Sequence, residues 1–159
     1  MMFHVGEKVV HWVHGPGEIV QLDEKILSGH KALYYVVRAG DLTVYVPVEQ
    51  GEQISLRTPT PARSFKKLFA IIKSPGEELS GDRLQRKLDL TERMRDGSLA
   101  SVCRVIRDLT WRSHSTRLND NDVATMERAQ RFLLNEWALS LSIPYADAEQ
   151  ELQQLLKSI

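Results

Sequence analysis

The first third of the chain carries its hydrophobic residues in short β-branched and aromatic runs, some alternating with polar residues, which is a pattern typical of strands. The runs are Lys8–Val13, Glu18–Leu22, Leu33–Val37, Leu42–Val46 and, more weakly, Ile54–Arg57. Turn-forming residues separate them, most clearly at His14-Gly15-Pro16-Gly17 and Ala39-Gly40-Asp41. Four or five short strands predict a small twisted barrel, because closure of the sheet removes most open edges.

The hydrophobic spacing becomes helical after Thr58-Pro59-Thr60-Pro61, a linker whose prolines interrupt strands and helices alike. The predicted helical segments are Phe65–Ile72, the charged stretch 82–96, Leu99–Leu109, Val123–Leu141 and Ala148–Ile159. In the second segment, Leu84 and Leu88 lie on a different face from Leu90 and Met94. The pattern therefore predicts an α+β chain, with a strand domain at residues 1–60 and an all-α domain of about five helices at residues 61–159.

Composition narrows the class of protein. The 159 residues are 42% hydrophobic and 26% charged, as in ordinary soluble globular proteins. No run approaches the roughly 20 apolar residues of a membrane span, and the N-terminus lacks the layout of a signal peptide. The one cysteine, Cys103, cannot form an internal disulfide or a cysteine-based zinc site. We expect a cytoplasmic, metal-free protein that makes no membrane contact.

Net charge is zero, yet the basic residues concentrate in the middle of the chain. Residues 61–115 hold twelve basic and seven acidic side chains, whereas both flanking segments are net acidic. Arg83, Arg86 and Lys87 have the i, i+3, i+4 spacing of one helix face, and Arg93 lies about 20° from Arg86 around the axis. This clustering indicates a phosphate-binding face. A solvated face neutralised by neighbouring carboxylates explains the spacing about equally well.

No catalytic motif is present. Gly15-Pro16-Gly17 is not followed by a helical pattern and indicates a hairpin turn rather than a phosphate loop. His11 and His14 have an H-x-x-H spacing, but strand alternation places them on opposite faces, so a metal site that includes His30 is the less favoured alternative. Cys103 falls within an apolar stripe and is expected to be a buried, inert thiol. We predict no catalytic residues, metal, cofactor or small-molecule substrate.

Val44-Tyr45-Val46 ends at Pro47, and proline within a sheet is typical of an edge strand. An uncovered edge can bind a partner strand by sheet addition. From the residues alone, plain barrel packing accounts better for this run.

Nine stretches taken together resemble a known family. They are Phe3–Val10, His14–Ile19, Tyr34–Val37, Leu42–Val48 and Leu56-Arg57 in the strand half, and Asp96-Gly97-Ser98, Val105–Leu109, Glu127-Arg128-Ala129 and Leu133-Leu134 in the helical half. In this order they resemble the CarD/CdnL family of bacterial transcription regulators over essentially the whole chain. The strand half alone also resembles the polymerase-interacting domain of transcription-repair coupling factor, but the helical half favours CarD/CdnL.

The resemblance implies a Tudor-like barrel that binds the β subunit of RNA polymerase by extending its sheet. It also implies a helical domain that contacts promoter DNA upstream of the −10 region, so that the protein stabilises the open complex and follows polymerase to the nucleoid. The resemblance assigns Lys25, Leu27 and Tyr45 to polymerase binding, and the edge-strand pattern adds Val44 and Val46 to the predicted set. It assigns Arg86 to DNA binding, and the neighbouring residues Arg83, Leu84, Lys87 and Arg93 complete the predicted DNA-binding set.

One departure from the family pattern concerns a tryptophan that many members insert into the minor groove. Arg83 stands at that position here, with Leu84 beside it, and no tryptophan lies between Trp12 and Trp111. An apolar wedge such as leucine can still unstack a base step. Trp111 and Trp137 lie too far along the chain to substitute, and we expect both in the core. An adaptor that binds polymerase without a productive DNA contact therefore stays open as the alternative.

Overall fold

The computed structural model describes residues 2–49 and 55–159, and it divides the chain into two compact units, Met1–Pro59 and Thr60–Ile159. We call these the strand unit and the helical unit. This α+β layout, with a sheet followed by helices, confirms the predicted fold class. No helix in the described part of the chain has the length and apolar character needed to cross a bilayer.

The strand unit is a five-stranded antiparallel sheet in the order β4-β3-β2-β1-β5. Its strands are β1 (Lys8–His11), β2 (Gly15–Leu27), β3 (His30–Ala39), β4 (Leu42–Pro47) and β5 (Leu56–Arg57). Buried Val46 of one edge strand and Leu56 of the other belong to a single core cluster. The sheet therefore curls around its own core, as expected of a small barrel. The predicted start of the last strand, Ile54, lies outside the described residues.

Turn chemistry sets the strand lengths. Ser28 and Gly29 both have positive φ, 52° and 78°, as in the two-residue hairpin turn that matches strand twist, so β2 and β3 run further than predicted. The turn after β1 comes earlier than predicted, and Gly17 lies inside β2. A Cβ on Gly17 would lie 2.8 Å from the carbonyl oxygen of Arg38, so only glycine permits this approach of β3.

The helical unit contains α1 (Phe65–Lys73), α2 (Arg83–Arg95), α3 (Leu99–Ser113), α4 (Asp120–Leu141) and α5 (Tyr145–Lys157), with a short 3₁₀-helix, Ala62–Ser64, before α1. The Ser98 side chain accepts a hydrogen bond from the Ser101 N–H, and Asn119 forms a capping box with Asp122, so α3 and α4 both begin at a side-chain cap. The predicted apolar stripe of α3 is buried throughout. Trp137 is 1% exposed and packs against Phe65 and Phe69.

Candidate functional site

The edge strand β4 presents backbone hydrogen-bonding groups to solvent. The Val48 N–H donates to the carbonyl of Leu33 at 2.9 Å, which sets the alternation of bonded pairs along the β3–β4 ladder. By that alternation, the N–H and C=O groups of Thr43 and Tyr45 point away from β3. No strand in the described part of the chain pairs with this side of β4. Pro47 occupies a position where the ladder needs no N–H, as the sequence predicts for an edge strand.

Lys25 and Tyr45 come from different strands and meet at the surface. The Lys25 Nζ lies 3.6 Å from the centre of the Tyr45 ring, and Tyr45 is 45% exposed. A cation over an aromatic face is favourable by about 0.5–1 kcal/mol at an exposed site. The structure thus brings together two of the side chains assigned to polymerase binding.

Two other residues of that set turn towards the barrel core. Val44 is partly buried and packs against the core, and Val46 is 2% exposed, so the Val46 side chain is not available to a partner. Alternation along a strand causes this correction, because neighbours of an outward residue point inward. Leu27 ends β2, and its side chain lies outside the described part of the structure.

A cleft of about 620 Å³ opens beside the Pro47 end of β4. Leu33, Pro47 and Val48 contribute apolar surface to it, while Lys31 and Glu49 contribute charges of both signs. Ile26, near the tip of the β2–β3 hairpin, is 70% exposed. The open edge is thus flanked by apolar surface that sequence analysis did not single out.

Helix α2 separates the residues assigned to DNA binding into two groups. Arg83 and Lys87 are exposed, and neither forms an ion pair with a described residue. Leu84 and Leu88 are 65% and 55% exposed, whereas Leu90 and Met94 are buried, which confirms the two predicted faces. Exposed cations and leucines on one short helix suit contact with a polyanion that also offers apolar surface.

Arg86 corrects the predicted basic face. It is 3% exposed, and its Nε lies 3.0 Å from Oδ1 of Asp122, whose side chain is 2% exposed. Its Nη1 also donates to the carbonyl of Ser80 at 2.9 Å. Asp122 also accepts a hydrogen bond from the Asn119 N–H, so the arginine ties α2 to the capped start of α4. A guanidinium buried in this way cannot reach a phosphate.

Arg93 also pairs with a buried carboxylate, that of Asp108, although its side chain is 32% exposed. Its Nη1 lies 2.7 Å from Oδ2 of that fully buried carboxylate, and Oδ1 accepts from Arg107 Nε at 2.9 Å and from the Glu77 N–H at 2.9 Å. Burial alone would raise the pKa of Asp108, but these hydrogen bonds outweigh burial and lower the pKa. The sequence analysis did not single out Asp108, so this buried carboxylate and its partners were missed.

The histidines do not lie as the H-x-x-H spacing predicts. Because β1 ends at His11, the chain turns, and the His11 and His14 rings lie 4.8 Å apart instead of on opposite faces. The His11 Nδ1 accepts hydrogen bonds from the Val13 and His14 N–H groups, which occupies that nitrogen. Among the residues that the structure describes, no three His, Cys, Asp or Glu side chains form a group that could hold a metal ion.

The sequence predicts burial for both Cys103 and Trp111, and only one of the two side chains is buried. Cys103 is fully buried, as predicted, and burial raises its pKa to about 12. Trp111 is 51% exposed, so its assignment to the core was wrong. It follows the last buried residues of α3, where the helix leaves the core.

Comparison with known proteins covers both units. A family model described as "CarD-like/TRCF RID domain" matches residues 3–58, and one described as "CarD, C-terminal domain" matches residues 67–153. A Bacillus subtilis (strain 168) protein described as "Putative transcription factor YdeB" is 29% identical over 141 residues, which cover 85% of this chain and 90% of that protein.

Proposed function

The chain belongs to the CarD family of transcription factors, and from this premise we propose that it regulates initiation while bound to RNA polymerase. In this proposal the β4 edge of the strand unit docks on the β subunit, and α2 contacts promoter DNA upstream of the −10 region. Together the two contacts stabilise the open complex. The open β4 edge is the observation that supports the proposed docking on polymerase.

Docking by sheet addition uses groups that are already exposed. Thr43 and Tyr45 direct their backbone groups outward, so a partner strand gains hydrogen bonds without any rearrangement of the barrel. Specificity then comes from the side chains beside the edge. Tyr45 with Lys25 offers an aromatic and cationic surface, and the cleft near Pro47 is large enough to receive a partner side chain.

DNA contact through α2 rests on a smaller set of residues than the sequence predicts. Arg83 and Lys87 supply phosphate contacts, and Leu84 is the exposed apolar residue nearest the helix start. A contact of this size is weak and salt-sensitive. Tethering to polymerase raises its effective concentration at the promoter. It favours the open complex only as far as it binds that state better than the closed one.

A pure adaptor is the second candidate function, and one observation favours it. Arg86 is buried against Asp122, and Arg93, which is 32% exposed, pairs with buried Asp108, so two of the four assigned cations already have carboxylate partners. In that case the protein acts through polymerase alone and α2 is a solvated helix.

The docking half is tested by binding of the full chain to purified RNA polymerase. Thr43→Pro removes one outward N–H without removing a bond to β3, and Thr43→Val is the matched control that keeps it. We expect Thr43→Pro and Tyr45→Ala to weaken binding by about tenfold or more, since each removes about 1.4 kcal/mol or more, with Thr43→Val close to wild type. Wild-type affinity for both weakening variants would contradict docking through β4.

The DNA half is tested by the lifetime of promoter open complexes at saturating protein. Reversing both charges, Arg83→Glu with Lys87→Glu, is expected to shorten the lifetime while polymerase affinity holds. Arg128→Glu, an exposed cation on α4, is the matched control. If the double variant stabilises open complexes as well as wild type does, the adaptor function replaces the DNA contact.

A further inference from the structure

A second cleft lies on the helical unit, away from α2. It has a volume of about 440 Å³ and is lined by the end of α1, the segment after it, the last turns of α3 and the end of α5. A cleft of this size lies within the range of small-molecule sites. No residue of α2 contributes to its wall.

Trp111 supplies an aromatic surface in this cleft. It is 51% exposed, and Gly76 packs against the base of its side chain. A Cβ on Gly76 would lie 2.3 Å from the Trp111 Cβ and 2.6 Å from its Cγ. The absence of a side chain at Gly76 thus lets the backbone support the indole, whose remaining surface is open to the cleft.

The cleft wall includes two cationic side chains and one imidazole. Lys73 and His114 are exposed, and the Arg107 side chain is 11% exposed. Arg107 is held in place, because its Nε donates to Asp108 at 2.9 Å and its Nη1 donates to the Ser74 hydroxyl at 3.0 Å. The buried Asp108 also accepts from the Glu77 N–H, so it fixes the segment that carries Gly76.

We propose that this cleft binds a nucleotide, with the base stacked on Trp111 and a phosphate among Lys73, Arg107 and His114. An aromatic platform beside cations is the combination that recognises unpaired nucleotides. Duplex DNA hides its base faces and does not fit this arrangement. The same chemistry is offered by a free nucleotide and by an unpaired nucleotide of single-stranded DNA. The proposal is independent of the proposed function, since no residue of β4 or α2 takes part.

The test uses the full chain and three labelled probes at low salt: a fluorescent ATP analogue, a twelve-nucleotide single strand of thymidylate, and a twelve-base-pair duplex. We expect saturable binding of at least one unpaired probe. Trp111→Ala and Lys73→Glu should each weaken it by about tenfold or more, and Trp111→Phe should retain part of the affinity. Lys66→Glu, on α1 but outside the cleft wall, is the matched control and should bind as wild type does.

Each outcome bears on the proposal. Tighter binding of the ATP analogue identifies a free nucleotide as the ligand, and tighter binding of the single strand identifies unpaired DNA. Absence of binding at millimolar probe, preference for the duplex, or equal losses for Lys66→Glu and Lys73→Glu would overturn the proposal. Circular dichroism checks folding, and Lys73→Glu carries the test if Trp111→Ala unfolds. The Arg83→Glu, Lys87→Glu double variant should keep the wild-type affinity for whichever unpaired probe the wild type binds, which separates this site from α2.

Discussion

Substitution of Arg86 separates a structural role from a DNA-binding role on the same helix. Arg86→Met keeps the aliphatic part of the side chain but leaves Asp122 as a buried carboxylate without its cation. Lys87→Met is the matched control, because it removes the same charge from the next residue, which is exposed. The sequence alone assigns these two residues to one basic face.

The expected cost follows from burial. The two side chains are 3% and 2% exposed and their closest atoms lie 3.0 Å apart. Removing one partner of such a pair typically lowers the free energy of unfolding by about 3–5 kcal/mol, because the remaining charge stays buried and uncompensated. A substitution of exposed Lys87 is expected to change the free energy of unfolding by less than about 0.5 kcal/mol. Adding Asp122→Asn to Arg86→Met should restore much of the loss, since no buried charge remains.

Urea unfolding followed by circular dichroism at 222 nm measures these differences, because the signal comes mainly from the helical unit. Under conditions where Arg86→Met is folded, its DNA contact should keep the wild-type salt dependence, whereas Lys87→Met should reduce it. The reasoning is refuted if Arg86→Met costs less than about 1 kcal/mol while it weakens DNA contact as much as Lys87→Met does.

Three further outcomes are expected. Burial and nearby His14 lower the pKa of His11 in the folded unit to about 4. In the unfolded chain His11 takes up a proton near pH 6.5, whereas in the folded unit it stays neutral until the pH approaches 4. The contribution of neutral His11 to the free energy of unfolding is complete above pH 6.5 and is lost as pH falls towards 4. We expect a loss of about 2 kcal/mol between pH 7 and pH 5 in unfolding experiments, and His11→Asn, which keeps an acceptor, should flatten this dependence. Gly76→Ala should lower the unfolding free energy by about 1–3 kcal/mol through its clash with Trp111. Gly81→Ala, which meets nothing within 4 Å, is the control in the same denaturation assay. Cys103 should react with a thiol reagent only as the helical unit unfolds, and fast labelling of the native protein would contradict its burial.

The strand unit was predictable where local chemistry decides the outcome. Val44, Tyr45 and Val46 read as a strand from their residue types, and Pro47 indicated an edge. The turn after β1 was not predictable, because strong β-formers at Trp12 and Val13 continue the strand pattern into a segment that bends. That error also misplaced His11 relative to His14, since strand alternation ceases where the strand ends.

In the helical unit, too, local features were predictable from the sequence and contacts between distant residues were not. The helical segments were predictable from the spacing of their hydrophobic residues, because that spacing acts within one helix. The burial of Asp108 was missed, because no feature of the α3 sequence indicates that Arg93 and the Glu77 N–H donate hydrogen bonds to it. Trp111 was assigned to the core by its type, although it lies where α3 leaves the core.

The order of hydrophobic and polar residues was enough to establish two units, their classes and the family resemblance, because periodicity and turn chemistry act over a few neighbours. Which cations pair with carboxylates was decided only by the tertiary structure. Arg86 and Arg93 find carboxylates 36 and 15 residues away, whereas Arg83 and Lys87 on the same helix find none among the described residues. The meeting of Lys25 with Tyr45, and of Trp111 with Gly76, likewise depends on how distant segments pack. Functional surfaces depend on such long-range contacts, which sequence spacing does not encode.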